Sequence, residues 1–518
     1  MGAFLKGIVV FFCIFVSVKQ SIANGGWMQQ DILLKSGWNM VWLEVDPIPE
    51  DPPSVMRGVD YESIWTFVAG RVPEDRGIWV SYARNQPDFL NTLHHMQGNR
   101  GYLINVKSPA SLNITGRPVN RTYWFSEGHS NLFGTDKEPA STNSPTFNDY
   151  FSHPNIKGKV SSIYKMDGET FTEIGMDSPI QENIAYWVSV LQRIQGAGPI
   201  KVGSSLSGYQ FGTDAYIHEV SVEVPVSDID QALTVKALPS AMPPPGQLAD
   251  AGDGDVSWLE YYDSDDSDSP WKSLSTGVTF TVPAGEVNAG FSIRCVRKGR
   301  SPATEELTSS LYQGLVEIAD SKGNRVVLGA GMEVLPVEGM WIGQAKLTQV
   351  STFDGIMADA TPLYVSLILA LPEAGQGDPQ LLDKFSIDVD RDGRTLRYRY
   401  NAILFHEPVT LTGSVDGYGT AGRLQGTISM DEKHALNPYR HRYNPEHRKG
   451  YPVTRDIEMT FSATDDDPVS QALRLDQSVG NNELVGTYSE DIMGVSLRPI
   501  RVSGPFKLFR LGDVTLLN

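Results

Sequence analysis

The chain is poor in cysteine, in basic residues and in long apolar runs, and each shortage argues against a class of protein. Cys13 and Cys295 are the only cysteines among 518 residues, so no framework of several disulfides holds the fold. The 43 basic residues face 62 acidic ones, which gives a formal net charge of −19. Nucleic acid and anionic membranes are disfavoured as partners, because binding to phosphates needs a basic surface.

One apolar run stands apart, near the amino terminus. Residues 7–18 are apolar, a lysine precedes them, and the small residues Ser21 and Ala23 follow, as in a signal peptide. We predict that residues 1–23 are such a signal and that the chain is exported to the periplasm, the cell surface or the extracellular space. The run is too short to span a bilayer and no longer one follows, so we expect no transmembrane segment in the mature chain.

Cleavage of this signal would change both the thiol content and the charge. Cys13 would be lost, and Cys295 would have no intrachain partner. Two lysines and no acid would leave with the signal, so the net charge would become about −21. A large exported protein without disulfides fits a bacterial envelope or secretion route.

Helical periodicity is scarce as well. The 49 glycines and 32 prolines divide the chain into short apolar runs, as in sandwich and barrel domains with tight turns. We therefore predict a mainly β fold: tandem small β-rich modules, an immunoglobulin-like sandwich, and a C-terminal β-sandwich or barrel. Residues 90–96 are one of the few short helix candidates.

Three sequence marks recur in the same order and indicate the tandem modules. The first copy has GlyTrpAsnMetVal at 37–41, SerIleTrp at 63–65 and GlyTyrLeuIle at 101–104, and the second has AsnLeuPhe at 131–133, SerIleTyr at 162–164 and AlaTyrTrpVal at 185–188. Such aromatic and β-branched runs beside glycine or asparagine are typical of strands that leave turns. We expect the two modules to pack against each other on these aromatic strands.

The predicted domain boundaries follow from these patterns. The modules are placed at 24–125 and 126–205, the sandwich with an acidic loop at 206–337, and the terminal domain at 338–518. An AspSerLysGly turn at 320–323 separates two strands of the sandwich.

Several phrases resemble a group of exported bacterial β-proteins without assigned function. These are GlyTrpAsnMetValTrpLeuGluValAspPro at 37–47, AsnArgGlyTyrLeuIle at 99–104 and AsnProTyrArgHisArgTyrAsnProGluHis at 437–447. The resemblance covers most of the mature chain. It implies bacterial export and a role outside central metabolism, and it supplies no catalytic residues.

Two regions are candidate ligand sites. A basic, aromatic segment near residue 440 reverses the local charge of an acidic chain, and aromatic and guanidinium groups together can stack on sugars and bind anions. The alternative is a loop whose arginines pair with the protein's own carboxylates. The second region is the acidic stretch 250–268 with its aromatic residues, some of which would belong to the core of flanking strands. The candidate ligand-binding residues are Tyr439, Arg440, Arg442, Tyr443, Arg448, Trp258 and Trp271.

Calcium or another divalent metal is the only cofactor that the sequence suggests. The run at 388–393 opens like a calcium loop, but Arg399 stands where that loop needs its bidentate glutamate, so an acidic turn of a hairpin is the main alternative. The histidines near residue 440 lack the spacing that fixes two ligands on one element. The candidate metal ligands are Asp388, Asp390, Asp392, His434, His441 and His447.

Three functions remain open at this point. The chain has no Gly-x-Ser-x-Gly elbow, His-x-x-x-His zinc pair or phosphate-binding loop, which favours a non-catalytic role. The leading hypothesis is an exported protein that binds or scaffolds surface polysaccharide or other envelope proteins. The alternatives are a polysaccharide hydrolase with carboxylates on the terminal domain and a subunit of a surface assembly that uses an exposed strand edge.

Overall fold

The computed structural model consists almost entirely of strands. The residues described are 25–69, 77–120, 123–127, 131–135, 144–153, 156–196, 198–205, 208–213, 215–266, 270–297, 300, 310–352, 354–373, 375–383, 408–417, 419–434, 437, 451–462 and 482–512. The two α-helices among them, α1 (Pro52–Val55) and α2 (Phe147–Tyr150), have four residues each. None of the helices described is long and apolar enough to cross a membrane. The mainly β prediction is confirmed.

The first module packs two sheets face to face. Its strands are β1 (Met28–Leu34), β2 (Gly37–Leu43), β3 (Val45–Pro47), β4 (Tyr61–Val68), β5 (Ile78–Ala83), β6 (Arg100–Val106) and β7 (Ala110–Pro118). One sheet has the order β2-β6-β4-β5 and the other β1-β7-β3. Alternate residues of β1 and β7 are buried, which places their apolar side chains in the core between the sheets.

The second module is a shorter version of the first. Its strands are β8 (Tyr123–Phe125), β9 (Asn131–Phe133), β10 (Val160–Asp167), β11 (Thr170–Ile174), β12 (Tyr186–Val190) and β13 (Ile194–Gly196). The order β9-β12-β10-β11 repeats β2-β6-β4-β5 strand for strand, and β8 and β13 form the second sheet. The three repeated sequence marks therefore lie on three equivalent, neighbouring strands of the two sheets: β2, β6 and β4 in the first and β9, β12 and β10 in the second.

Equivalent positions of the two modules meet each other across their interface. By the repeat, Met40 corresponds to Leu132 and Gly101 to Ala185. The Ala185 N–H donates to Met40 O at 3.2 Å, and a Cβ on Gly101 would lie 2.6 Å from Leu132 Cβ. The same pair of positions thus meets twice with the roles exchanged, as in an interface with an approximate two-fold axis. Trp79 and Trp187 pack at 5.8 Å on the same interface.

Residues 90–96 are not a helix, so that expectation is wrong. Only Asp88–Leu90 makes a 3-10 turn, and the residues after it run extended beside strand β5. The N–H groups of Thr92 and Leu93 both donate to Ser81 O at 2.9 Å. The chain forms these bonds to a sheet edge instead of a helix, because a seven-residue helix has little stability of its own.

The sandwich encloses its core between two five-stranded sheets. Its strands are β14 (Lys201–Gly203), β15 (Tyr209–Gly212), β16 (Ile217–Glu223), β17 (Gln231–Pro239), β18 (Leu259–Tyr262), β19 (Trp271–Ser273), β20 (Val278–Val282), β21 (Asn288–Cys295), β22 (Ser310–Asp320) and β23 (Arg325–Val334), with a 3-10 turn at Leu274–Thr276. The orders are β14-β16-β21-β18-β19 and β15-β23-β22-β17-β20. Cys295 is free and buried in this core.

The first described residues of the chain dock on the sandwich before entering the first module. The Gly26 N–H donates to Gly314 O at 2.9 Å, and the Trp27 N–H donates to Ser240 Oγ at 2.9 Å. The Trp27 ring is completely buried, and the Arg117 guanidinium of β7 lies 3.8 Å from its centre. Residues 25–27 therefore fasten the sandwich to the first module.

The terminal domain is one sheet that closes on itself. Its strands are β24 (Gly339–Ser351), β25 (Met357–Leu371), β26 (Gln380–Asp383), β27 (Val409–Thr410), β28 (Thr412–Val415), β29 (Gly422–Met430), β30 (Val453–Ser462), β31 (Glu483–Met493) and β32 (Ile500–Gly512). Strands β27 and β28 are joined through Leu411 and pair with opposite ends of the sheet, β26 and β29. Of the two architectures predicted, the domain is thus the barrel, and its interior is apolar.

Candidate functional site

One hairpin of the sandwich reaches both modules. It joins β22 to β23 through a turn in which Gly323 has a φ of 90° and its N–H donates to Asp320 O at 3.2 Å. On one side of the turn, Lys322 Nζ lies 2.8 Å from Asp149 Oδ1 in the helix α2 of the second module. On the other side, Arg325 Nη2 lies 2.9 Å from Glu44 Oε2 of the first module. The AspSerLysGly turn therefore joins three parts of the molecule.

The ion pair between Arg325 and Glu44 is buried. The two side chains are 8% and 2% exposed, and Arg325 Nη1 also lies 3.3 Å from Glu317 Oε2 on strand β22. Loss of one partner from a buried pair leaves an uncompensated charge and costs about 3–5 kcal/mol. This pair therefore holds the first module and the sandwich in one arrangement.

A cavity of about 200 Å³ lies where these three parts meet. We call it the junction cavity. This volume equals about seven water molecules at ~30 Å³ each, and it is below the ~300–1,000 Å³ of sites for drug-sized ligands. The cavity can therefore accept a ligand about the size of one ring. The residues that line it are Trp42, Asn99, Val119, Asn120, Tyr123, Phe133, Gly134, Thr135, Tyr150, His153, Gln195, Gly198, Pro199, Ile200, Lys201, Asn324, Arg325, Val326 and Val327.

Aromatic rings form one side of the junction cavity. Trp42 packs on Phe133 with ring centres 5.8 Å apart, and Phe133 on Tyr150 at 4.8 Å. Gly134 makes this packing possible, because a Cβ there would lie 2.5 Å from Trp42 Cγ. The Tyr123 hydroxyl donates to Leu132 O at 2.7 Å, and burial raises the pKa of Tyr123 far above its usual range. This wall is fixed by packing.

Three amide groups also line the junction cavity. Asn99 has a left-handed φ of 52° and donates through Nδ2 to Val119 O at 2.8 Å. Asn120 Nδ2 donates to Val202 O and to Ser204 Oγ, both at 2.9 Å. Asn324 is 2% exposed and donates through Nδ2 to Asp320 Oδ2 at 2.8 Å, while its Oδ1 has no hydrogen-bond partner among the described residues. An acceptor without a partner at such a depth costs stability unless a ligand or water donates to it.

The charged groups at the junction cavity are balanced by carboxylates behind them. Lys201 Nζ lies 2.7 Å from Glu223 Oε2, and His153 Nε2 lies 3.2 Å from Glu223 Oε1. Hydrogen bonds from Lys201 and His153 lower the pKa of the Glu223 carboxyl. With Arg325 held by two glutamates, the local field is close to neutral. The cavity therefore suits a neutral ligand with hydrogen-bonding groups.

A larger and more apolar cleft of about 700 Å³ lies beside residues 25–27. Its walls are mainly glycine backbone, Ile48 and the rings of Pro47, Pro49 and Pro118. At its edge, Glu50 and His95 lie 3.2 Å apart and are more than half exposed. The cleft has room for an apolar group, but it offers few directional contacts that would select one ligand over another.

A polar groove of about 540 Å³ crosses the outside of the terminal domain. It contains three carboxylates, of which Glu458 pairs with Arg423 and Asp491 with Arg501. Hydrogen bonds from these arginines lower the pKa of the Glu458 and Asp491 carboxyls. The third carboxylate, Asp456, accepts from the Thr427 hydroxyl at 2.7 Å. Glu458 and Asp491 are therefore ionised acceptors at neutral pH.

Most residues of the candidate sites predicted from sequence lie outside the described part. Trp258 is described and is 0% exposed in the sandwich core, so it offers no surface to a ligand. Trp271 is half-buried, and the Arg294 guanidinium lies 4.4 Å from its ring. His434 is half-buried, and the described residues hold no group of three side chains that could bind a metal. The residues outside the described part are Asp388, Asp390, Asp392, Tyr439, Arg440, His441, Arg442, Tyr443, His447 and Arg448.

The acidic stretch 250–268 uses several of its carboxylates on its own chain. Asp250 Oδ1 accepts from the N–H of Gln313 at 2.8 Å, Asp255 pairs with Arg300, and Asp263 Oδ2 lies 2.6 Å from Lys272 Nζ. Donors within the protein therefore offset the repulsion among these three carboxylates.

Comparison with known proteins gives no name for this arrangement. No family model matches the chain. No curated protein matches it either. Among solved structures, a chain from Bacteroides ovatus described as a structural genomics protein of unknown function covers 57% of this chain and 85% of its own length, at 9% identity and a TM-score of 0.16. Such a likeness carries no argument about fold or function.

Proposed function

We propose that this chain is an exported, non-catalytic binding protein that holds one neutral sugar residue, free or at the end of a glycan, in the junction cavity. The observation that carries the proposal is the combination of a fixed aromatic wall, in which Tyr150 is half-buried and keeps exposed ring surface, with the amides of Asn99, Asn120 and Asn324 around about 200 Å³. Sugar rings present one apolar face and a rim of hydroxyls, which require a ring to pack on and hydrogen-bonding groups around it.

The proposed ligand also accounts for the Asn324 carbonyl. A sugar hydroxyl can donate to its Oδ1, for which the described part of the chain supplies no partner, and so remove the cost of burying it. The neutral field supports an uncharged sugar over an acidic one, because the nearby cations already pair with carboxylates.

A glycan array with the mature protein, run with calcium and with a chelator, tests this proposal. Val326 lines the cavity, so Val326→Trp should fill it and lower the affinity for any array hit at least tenfold. Val278→Trp is the matched control, because Val278 is half-buried in the same sandwich away from the cavity. Silence on the array and in titrations with millimolar monosaccharides, or equal binding by both variants, would rule the sugar out.

A polysaccharide hydrolase is the second candidate, supported by the carboxylates in the groove of the terminal domain. It ranks second because a glycosidase needs one carboxyl with a raised pKa as general acid, whereas the pKa values of Glu458 and Asp491 are lowered. Release of reducing ends from polysaccharide by the wild type, abolished in Asp456→Asn, would reverse this ranking.

A further inference from the structure

The edge strands β5 and β11 are equivalent in the repeat, but the described residues cover only β5. Trp65 pairs with Ser81 in the first module, and Tyr164 pairs with Glu173 in the second. Because Trp65 and Tyr164 close the same sequence mark, Ser81 and Glu173 occupy the same position on the outermost strand. The backbone N–H and C=O of both residues therefore point away from the sheet.

In the first module, the chain itself covers this edge. Ser81 O accepts from the N–H groups of Thr92 and Leu93 at 2.9 Å, and the Ser81 N–H donates to Thr92 Oγ1 at 2.9 Å. The Ala83 N–H donates to Asn91 Oδ1 at 2.8 Å. This edge is closed to a further strand.

In the second module, the equivalent edge is open as far as the described ranges show. Residues 170–173 are all exposed, including 45% of Phe171, and no described residue bonds the outer side of β11. The strand reads Thr-Phe-Thr-Glu-Ile, which has strong β propensity. It is short and carries one charge, Glu173, but it lacks the lysine, proline or bulge that also keeps edge strands from pairing.

We propose that β11 is a self-association surface, at which two copies of the chain pair their β11 strands antiparallel about a two-fold axis at Thr172. The strand is self-complementary in this register. The outward backbone groups of Phe171 meet those of Glu173 in the second copy, Thr172 meets its own counterpart, and Thr170 lies opposite Ile174. Thr–Thr and β-branched pairs are favourable cross-strand neighbours, and no like charges lie directly opposite.

The pairing would join two four-stranded sheets into one of eight strands across both copies. A five-residue strand gives a contact below the ~1,200 Å² of stable complexes, so the dimer should be weak. The net charge of −19 makes two copies repel each other, and salt screens this repulsion. Association should therefore strengthen as ionic strength rises, which is the opposite of the response of a salt-bridged dimer.

Sedimentation velocity of the full mature chain over a wide concentration range, at physiological and at high salt, tests the proposal. The wild type should shift from monomer to dimer with concentration. Glu173→Pro should stay monomeric, because it removes an outward N–H that the sheet does not use. Glu173→Ala is the matched control and should dimerise at least as well as the wild type. A wild type that is monomeric throughout, or a dimer that persists in Glu173→Pro, would overturn the proposal.

A crosslinking experiment fixes the register and remains decisive if the proline variant unfolds. Thr172→Cys should form an interchain disulfide under mild oxidation, because facing Cβ atoms in such a pair are about 4.5–5.5 Å apart. Thr170→Cys is the matched control and should not crosslink. Residue 170 of each copy lies two residue pairs from the axis, on opposite sides of it, so the two cysteines would be far apart. Equal crosslinking of the two variants would contradict this register. The native Cys295 is buried and does not interfere.

Discussion

The two modules form the same sheet, yet the side chains at some equivalent positions have different roles. Tyr102 and Tyr186 are used alike, because each hydroxyl accepts a backbone N–H from the glutamine five residues earlier, at 2.7 Å and 2.9 Å. Trp42 and Gly134 are also equivalent, but one is the largest side chain and the other has none. They touch each other, and the aromatic wall of the junction cavity results. Contacts that the two modules share therefore stabilise each module, while positions at which their side chains differ form the site.

The largest expected effect comes from removing Trp42. Its side chain is 3% exposed and packs on Tyr123 and Phe133 of the second module. We expect Trp42→Ala to lower the free energy of unfolding by about 3–5 kcal/mol, measured by urea denaturation. Trp65→Ala is the matched control, since Trp65 is 38% exposed, and it should cost less than half as much. Equal losses would mean that the contact between modules contributes little.

A smaller effect distinguishes the two equivalent asparagines at the start of β2 and β9. Asn39 accepts from the Lys35 N–H at 2.9 Å, and Asn131 from the Ser126 N–H at 2.8 Å. Asn131 is 0% exposed, whereas Asn39 is half-buried, so water can replace only the bonds of Asn39. We expect Asn131→Ala to cost about 1–3 kcal/mol and Asn39→Ala about 0.5–1.5 kcal/mol. Thermal unfolding of both variants checks the order, and the reverse order would refute the equivalence.

The smallest expected effect concerns the link from the second module to the sandwich, which Asp149 makes with Lys322. Partial burial alone would raise the pKa of the Asp149 carboxyl, but hydrogen bonds from Lys322 and Thr146 lower it overall. A lowered pKa adds stability above the unfolded value of about 3.9, and this stability is lost as the pH falls through the folded pKa.

Lys322→Met isolates that contribution. We expect a loss of about 0.2–1 kcal/mol at pH 7, which should shrink towards zero as the pH falls below the folded pKa of Asp149 and this carboxyl becomes protonated in both proteins. Denaturation at several pH values measures it. A loss of the same size at all pH values would assign the effect to packing of the lysine stem.

Sequence periodicity found the strands of the modules because alternating burial and turn residues are local signals. It failed at residues 90–96, whose structure depends on bonds to Ser81. The junction cavity could not be predicted, because Trp42, Asn120 and Asn324 come together only through contacts between domains. Its one local signal was the AspSerLysGly turn, which the sequence placed correctly between two strands but did not connect to a site. Trp258 was chosen for its neighbours in sequence, while its burial depends on strands far along the chain.

The docking of residues 25–27 on the sandwich has a consequence for assembly. Trp27 and Gly26 bond to Ser240 and Gly314, which are synthesised more than two hundred residues later. The first module can form its sheets from contacts within its own sequence. Its first residues, in contrast, can dock only on a domain that lies far along the chain. The loop that this contact closes is long, and closing it has an entropic cost that grows only slowly with length. Residues 25–27 can therefore take up their final position only after the sandwich has been synthesised.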